Sequence, residues 1–380
     1  MTKTLALLLG CILLTACNSD SGSKTASTAS ATSVAPAPVS SAADSAASSS
    51  SAVSQEAGFT GNNLRLIGRF DTAESGKARF TWPGSAMEFV FEGTHAAIEI
   101  QADERTRFEV QTGDQQHTLW VTPGAARYTL AENLPQGVHQ LRLTRVSESF
   151  NNVSTFLSDP LVDGHLLAAP EAPARRLLVI GDSITAGYGV EGDSHECKFS
   201  LDTSSQQLTY AAMAAHNLNA DLHAIAWSGI GAWRSYGEET PDSPTILVRY
   251  ARTLANDETS QWDATRYQPD AIIINIGTND FWQGSVSDEY REAMASLIAM
   301  VQNDHPQKPV YLMLSPMLSG DPRSAQAEIF STLTQQGVYL LDAGKIEPQD
   351  GLGCDYPPNL TTQTRLADAL SQRLASDLGW

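Results

Sequence analysis

The chain has 380 residues, 42% hydrophobic and 18% charged, and 24 Lys and Arg stand against 43 Asp and Glu for a formal net charge of -19. That length is too great for one ordinary core and predicts two domains plus extra segments. The acidic excess repels phosphate backbones and argues against nucleic acid as a partner, and after the first few positions there is no apolar run of about 18 residues that would span a membrane.

At the N-terminus Lys3 precedes the apolar run Leu5-Ala6-Leu7-Leu8-Leu9-Gly10-Cys11-Ile12-Leu13-Leu14. This is an export signal, too short for a folded span. It ends in Leu14-Thr15-Ala16-Cys17, which resembles a bacterial lipoprotein box. The resemblance implies removal of residues 1–16 and a lipid on the Cys17 sulfur. Asn18, where Asp would signal inner-membrane retention, points to the outer membrane of a bacterial envelope. Residues 18–56 hold 14 Ser and 10 Ala among 39 positions and no aromatic residue. Such a stretch cannot bury enough apolar surface to offset its ordering entropy, so 17–56 reads as a flexible tether, and the lipid is the only expected link to the membrane.

From 57 to 168 short runs alternate polar and apolar residues between turn residues. They include Met87-Glu88-Phe89-Val90-Phe91-Glu92, Ala97-Ile98-Glu99-Ile100, Phe108-Glu109-Val110 and His139-Gln140-Leu141-Arg142-Leu143. Period two predicts an antiparallel β-sandwich, jelly-roll-like, with Trp82 and Trp120 packed on its core. Nothing in this stretch has catalytic spacing.

After Pro170-Glu171-Ala172-Pro173 the period changes. Strand-length apolar runs at 177–180, 223–226, 271–274, 310–314 and 339–341 alternate with helix-length segments at 208–218, 287–301, 325–334 and 362–374. Runs without alternation suit strands buried on both faces, so 174–380 is predicted to be a doubly wound α/β domain with a parallel sheet. Its site is then expected at the carboxyl ends of the strands.

Three of those ends carry polar chemistry: Gly181-Asp182-Ser183, Ser228-Gly229-Ile230-Gly231 and Gly277-Thr278-Asn279-Asp280. A serine at a strand-to-helix turn can present its hydroxyl above the sheet, and glycine and asparagine amides from neighbouring strands can converge on an oxyanion. These blocks resemble those of the SGNH (GDSL-type) hydrolases. With Gly187-Tyr188-Gly189, Gly353-Cys354-Asp355-Tyr356 and a sandwich ahead, the chain resembles the acetyl esterases of carbohydrate esterase family 2 over residues 60–380. The resemblance implies a nucleophilic Ser183 and oxyanion donors from the Ser183 amide, the Gly229 amide and the Asn279 side chain. It also implies deacetylation of plant-type polysaccharide such as acetyl xylan or glucomannan, without metal or other cofactor.

One block departs from the family. Its C-terminal motif runs Asp-aromatic-His-Pro, in which Asp orients a basic His; here it reads Asp355-Tyr356-Pro357-Pro358, so Pro357 stands in the histidine's place. The alternative reading is therefore a glycan-binding protein that turns nothing over. Cys197 and Cys354, the two cysteines of the folded part, are either a disulfide or two buried thiols, and their closeness to the motifs favours the bond. That bond would bring His195 toward Asp355, which makes His195 the candidate substitute base. His223 is expected at a strand start, Glu238-Glu239 in a solvated loop, and Trp227, Phe281 and Trp282 as possible walls of a sugar site.

Overall fold

The computed structural model describes Phe59, Phe150 and residues 62–148, 152–284 and 288–380. The export signal, Cys17 and the tether lie outside the described residues.

Among the described residues eleven strands precede the parallel sheet: β1 (Leu64–Ile67), β2 (Ala78–Phe80), β3 (Ala86–Gly93), β4 (Ala96–Ala102), β5 (Thr106–Thr112), β6 (Gln115–Val121), β7 (Gly124–Ala131), β8 (Gly137–Arg145), β9 (Ser154–Phe156), β10 (Leu161–Val162) and β11 (His165–Leu166). One sheet runs β1-β3-β8-β5-β6 with β11 on β3, and the other runs β10-β4-β9-β2 with β7 on β4. Every pairing in them is antiparallel. Alternate residues such as Phe89, Phe91, Phe108, Val110 and Ile98 turn inward to one core. Within it Phe80 packs 4.8 Å from Phe70 and 4.6 Å from Phe156, ring centre to ring centre.

The C-terminal part is a five-stranded parallel sheet of β12 (Arg175–Gly181), β13 (Ala220–Ala226), β14 (Ala271–Asn275), β15 (Val310–Met313) and β16 (Val338–Leu341), in the order β13-β12-β14-β15-β16. The helices are α1 (Ser183–Ala186), α2 (Tyr210–Asn217), α3 (Ile246–Tyr250), α4 (Asp288–Asp304), α5 (Gly320–Leu333) and α6 (Leu360–Leu378). The unbroken apolar runs serve two cores. Leu177, Val179, Ile273 and Tyr311 face α2 and α6, whereas Leu178, Ile180, Ile272, Ile274 and Leu312 face α4 and α5. Buried Gln363 of α6 ties the first of these layers together, accepting from the Tyr210 amide at 2.8 Å and donating to Ile184 O at 2.9 Å. The strand order reverses at β12, which puts the crevice between the ends of β12 and β14, where ligands of such sheets bind.

The sandwich docks on the sheet through buried polar anchors. Arg65 bridges Glu88 and Asp221 at 2.6 Å each, and Arg69 lies between Tyr250 and Trp262. Three expectations change here. Trp120 is half-buried outside the sandwich core, with the Arg105 guanidinium 3.4 Å from its ring centre, because Leu119 and Val121 on either side of it take the inward positions. Trp82 leaves the sandwich core for the α/β core, donating its indole N–H to Thr253 O at 2.9 Å. His223 sits inside β13 rather than at its start, because the strand begins at Ala220; its Nε2 accepts the Gly68 amide and its ring stacks on Tyr267.

Candidate active site

The turn from β12 into α1 presents Ser183. A Cβ at Gly181 would collide with Thr185 Oγ1, so glycine is needed for the chain to fold back this tightly. Asp182 caps α1, its Oδ1 accepting the Ile184 amide at 2.9 Å. Burial pushes its carboxyl up to about 7, against the opposing pull of the Ile184 amide and Thr278. Through Oδ1 Asp182 thus shapes the turn, and Ser183, the next residue, is half-buried and lines the cleft.

The loop opposite, which carries Gly229, is held by Asp280. Its carboxylate accepts the amides of Ala232 at 3.0 Å, Trp233 at 2.8 Å and Arg234 at 3.1 Å, which folds the loop after β13 back toward β14. Burial raises its carboxyl to about 6 while the three amides oppose that rise. At the start of that loop Gly229 has φ 80 and open space where a Cβ would stand. Asn279 is buried, and its Nδ2 donates to Ile230 O at 2.7 Å and lies 3.5 Å from Asp182 Oδ2. The first bond fixes the amide group; the second is long, which leaves the other N–H available to an oxygen in the cleft.

Asp355 and Tyr356 carry the third side of the cleft, with φ values of 60 and 83. Left-handed backbone is costly for such residues and is retained only where the surroundings enforce it. Here Cys354 is joined to Cys197 by a disulfide, the Cys354 amide donates to Gly189 O, and the Asp355 amide donates to Cys197 O. The Asp355 carboxylate accepts the Phe199 amide at 2.8 Å, Lys198 Nζ at 2.9 Å and the Tyr188 hydroxyl at 3.4 Å. The Phe199 amide, then Lys198, hold the carboxyl below the ordinary Asp range.

Ser183, Gly229, Asn279, Asp355 and Pro357 line one cleft of 780 Å³, walled by Phe150, Tyr236, Trp282, Met317 and Tyr356. His195 is exposed and does not line it; its ring packs 4.9 Å from that of Tyr356. No side chain among the described residues hydrogen-bonds the Ser183 hydroxyl. Of the three suggested aromatic walls only Trp282 lines the cleft. Phe281 is buried in the core, and Trp227 is sandwiched by Phe150 and Arg249. Glu238 is not simply solvated either: its Oε2 accepts the Ser235 and Asp242 amides, which shapes the loop bearing Tyr236. The sequence reading missed Phe150 and Glu148, both contributed by the sandwich, because no period or motif marks an isolated residue that reaches across domains.

Comparison with known proteins agrees with this arrangement. Residues 66–170 match the carbohydrate esterase 2 N-terminal model, and residues 179–374 match the GDSL-like lipase/acylhydrolase family. Cellulase/esterase CelE of Acetivibrio thermocellus is 33% identical over 323 residues, 82% of this chain but only 39% of that protein's length. An acetylxylan esterase / glucomannan deacetylase of Cellvibrio japonicus is 26% identical over 326 residues, 84% of this chain and 90% of that protein. A family two carbohydrate esterase from Clostridium thermocellum, solved in complex with cellohexaose, superposes with a TM-score of 0.80 at 30% identity, over 83% of this chain and 99% of that one. With one model on its sandwich and the other on its parallel sheet, the chain belongs to carbohydrate esterase family 2, carboxylic ester hydrolases built on a GDSL-type domain.

Proposed function

We propose that this chain removes O-acetyl groups from plant-type polysaccharide, with Ser183 as nucleophile. The observation that carries the reading is the meeting of Ser183, Gly229 and Asn279 in one cleft. Ser183 Oγ adds to the acetyl carbonyl carbon, and the carbonyl electron pair moves onto oxygen, where the Ser183 and Gly229 amides and Asn279 Nδ2 receive it. The serine proton passes to a base; as the carbonyl re-forms, the bond from the acetyl carbon to the sugar oxygen breaks, and that oxygen takes the proton and leaves as a hydroxyl. Water repeats the sequence on the acetyl-serine and releases acetate. Trp282, Tyr236 and Tyr356 supply aromatic faces for the sugar rings beside the ester.

The base is the open position, since Pro357 offers no proton acceptor. Loss of the base in a serine hydrolase costs about 10⁴–10⁶ in turnover, while the oxyanion site and binding keep roughly 10³–10⁴ over water. His195, packed on the cleft residue Tyr356, is the proposed substitute. A second reading, a glycan-binding protein without turnover, is favoured by Pro357 itself and by an Asp355 carboxylate already engaged with Lys198 and Phe199. In either case we propose that a lipid on Cys17 and the 17–56 tether hold the folded part off the outer membrane of a bacterial envelope, which labelling with a radioactive fatty acid and its loss in Cys17→Ala would test.

The deciding experiment assays the full chain, Ser183→Ala, His195→Ala and Pro357→His on 4-nitrophenyl acetate and acetylated xylo-oligosaccharide. Turnover abolished by Ser183→Ala supports the esterase, and its loss in His195→Ala identifies the base. An inert parent that binds the oligosaccharide supports the binding protein.

A further inference from the structure

Glu148 belongs to the sandwich side, in the connection that follows β8, yet its side chain bonds Ser228, which lines the cleft. The residue is 4% exposed. Its Oε1 accepts the Ser228 amide at 2.6 Å, and its Oε2 accepts the Ser228 hydroxyl. Ser228 lines the cleft together with Ser183, and it immediately precedes Gly229, whose amide is an oxyanion donor in the function proposed above. A carboxylate that grips both polar groups of one residue removes that residue's freedom to rotate, and so fixes the neighbouring peptide as well.

We propose that Glu148 is a positioning residue for this site: through Ser228 it orients the Gly229 amide and decides whether the Ser228 hydroxyl shows the cleft a lone pair or a proton. The inference rests on the cleft being the ester-binding site. Ionised Glu148 accepts the hydrogen bond of the Ser228 hydroxyl, which leaves only oxygen lone pairs toward the cleft. Protonated Glu148 still accepts the Ser228 amide on Oε1, donates its own proton from Oε2 to Ser228 Oγ, and thereby turns the serine proton outward. Both forms are accessible near neutrality, because burial pushes the Glu148 carboxyl up to about 7 while the two Ser228 bonds oppose the rise.

The groups that face Glu148 from every side permit such a switch. Asp182, at the end of β12, raises its carboxyl further, and Arg145 on β8 lowers it without pairing with the carboxylate, since Nη2 of Arg145 instead donates to Glu148 O at 3.4 Å. Tyr188, after α1, feels the Glu148 charge and keeps its own proton, its hydroxyl being held up to about 12 mainly by burial. No ion pair holds the carboxylate in one state among the described residues.

The test uses the full chain, Glu148→Gln, Ser228→Ala and Ser183→Ala. Binding of acetylated xylotriose is measured by calorimetry, and kcat/KM for 4-nitrophenyl acetate by absorbance, both from pH 5.5 to 8.5. An acetyl carbonyl accepts hydrogen bonds, so the parent is expected to bind at least threefold more tightly at pH 5.5 than at 8.5, with a midpoint near 7. Glu148→Gln and Ser228→Ala are expected to lose most of this inflection, any remainder belonging to Asp182, whose carboxyl burial also pushes up to about 7. A merely structural clamp would weaken binding equally at every pH and leave the inflection in place. An inflection of undiminished size in Glu148→Gln, an inflection absent from the parent, or tighter binding at high pH overturns the proposal. If Ser183→Ala leaves turnover unchanged, the esterase reading falls while the binding profile still decides the role of Glu148. If the parent binds no acetylated xylotriose yet still hydrolyses the ester through Ser183, the same inflection is read in kcat/KM. A parent that neither binds nor hydrolyses overturns both.

Discussion

Lys198 Nζ stands 2.9 Å from Asp355 Oδ1, beside the disulfide that joins Cys197 to Cys354. Consecutive residues on each strand of this loop pair are therefore linked twice, once covalently and once by charge. The Phe199 amide adds a third link to the same carboxylate. An aspartate so occupied supports the turn that carries Tyr356 and Pro357 to the cleft. The ion pair itself is worth little, since Lys198 is 86% exposed.

The covalent link should matter more. It closes a loop of 157 residues, so the double change Cys197→Ser with Cys354→Ser is expected to cost roughly 2–5 kcal/mol. Denaturant unfolding of the parent with and without reductant checks this, and a reduced parent should match the variant. Binding of xylo-oligosaccharide should weaken in parallel, because Tyr356 sits two residues from the bond.

Tyr356→Gly separates the turn's strain from its contact with ligand. At φ 83 a non-glycine residue costs about 1–2 kcal/mol, and the freedom that glycine adds to the unfolded chain returns roughly 0.5–1 kcal/mol of that. Stability within about 1 kcal/mol of the parent is therefore expected, with severalfold weaker oligosaccharide binding from loss of the ring. A large loss of stability by calorimetric melting would contradict this account of the turn.

At the proposed oxyanion site, Asn279→Ala is expected to lower turnover by about 10²–10³. It also frees Ile230 O, so a stability loss of about 1–3 kcal/mol should accompany it. Gly229→Ala meets no neighbour, but its φ of 80 disfavours a Cβ by about 1 kcal/mol. It should reduce turnover through a displaced amide while leaving oligosaccharide affinity close to that of the parent. Steady-state kinetics beside calorimetry distinguishes the two effects.

Stability should carry a signature of the buried acid at 148. Its folded value of about 7 lies above the ordinary 4.5, so the folded state holds the proton more tightly than the unfolded one. Stability from this group is complete below pH 4.5 and is lost as pH rises through 7. Glu148→Gln removes that loss and is expected to gain on the parent between pH 5 and 8 by on the order of 2–3 kcal/mol. His223 and His305, both held low chiefly by burial, act in the opposite direction but equally in the two proteins. Thermal melts of both proteins at the two pH values read the difference directly.

Pro357→His is expected to raise turnover by at least 10²-fold if the base is the only missing part. The gain should vanish in the double change with Ser183→Ala. An unchanged rate would mean that the turn at Asp355 and Tyr356 cannot aim an imidazole at Ser183.

The local periods settle most of the architecture. Phe89 and Phe91 face one core because a strand repeats every two residues, and Leu178 and Val179 fill opposite cores because their strand is covered on both sides. Ser183, Gly229 and Asn279 are legible for the same reason: each follows the end of a strand, and parallel strands in register bring those ends together. Docking between the domains leaves no such trace in the sequence. Trp82 enters the α/β core to bond Thr253 O, Phe150 reaches the cleft wall, and Glu148 grips Ser228 across 80 positions. What brings those residues to their partners is surface complementarity between two finished layers, a property of the assembled shape and not of any stretch of chain.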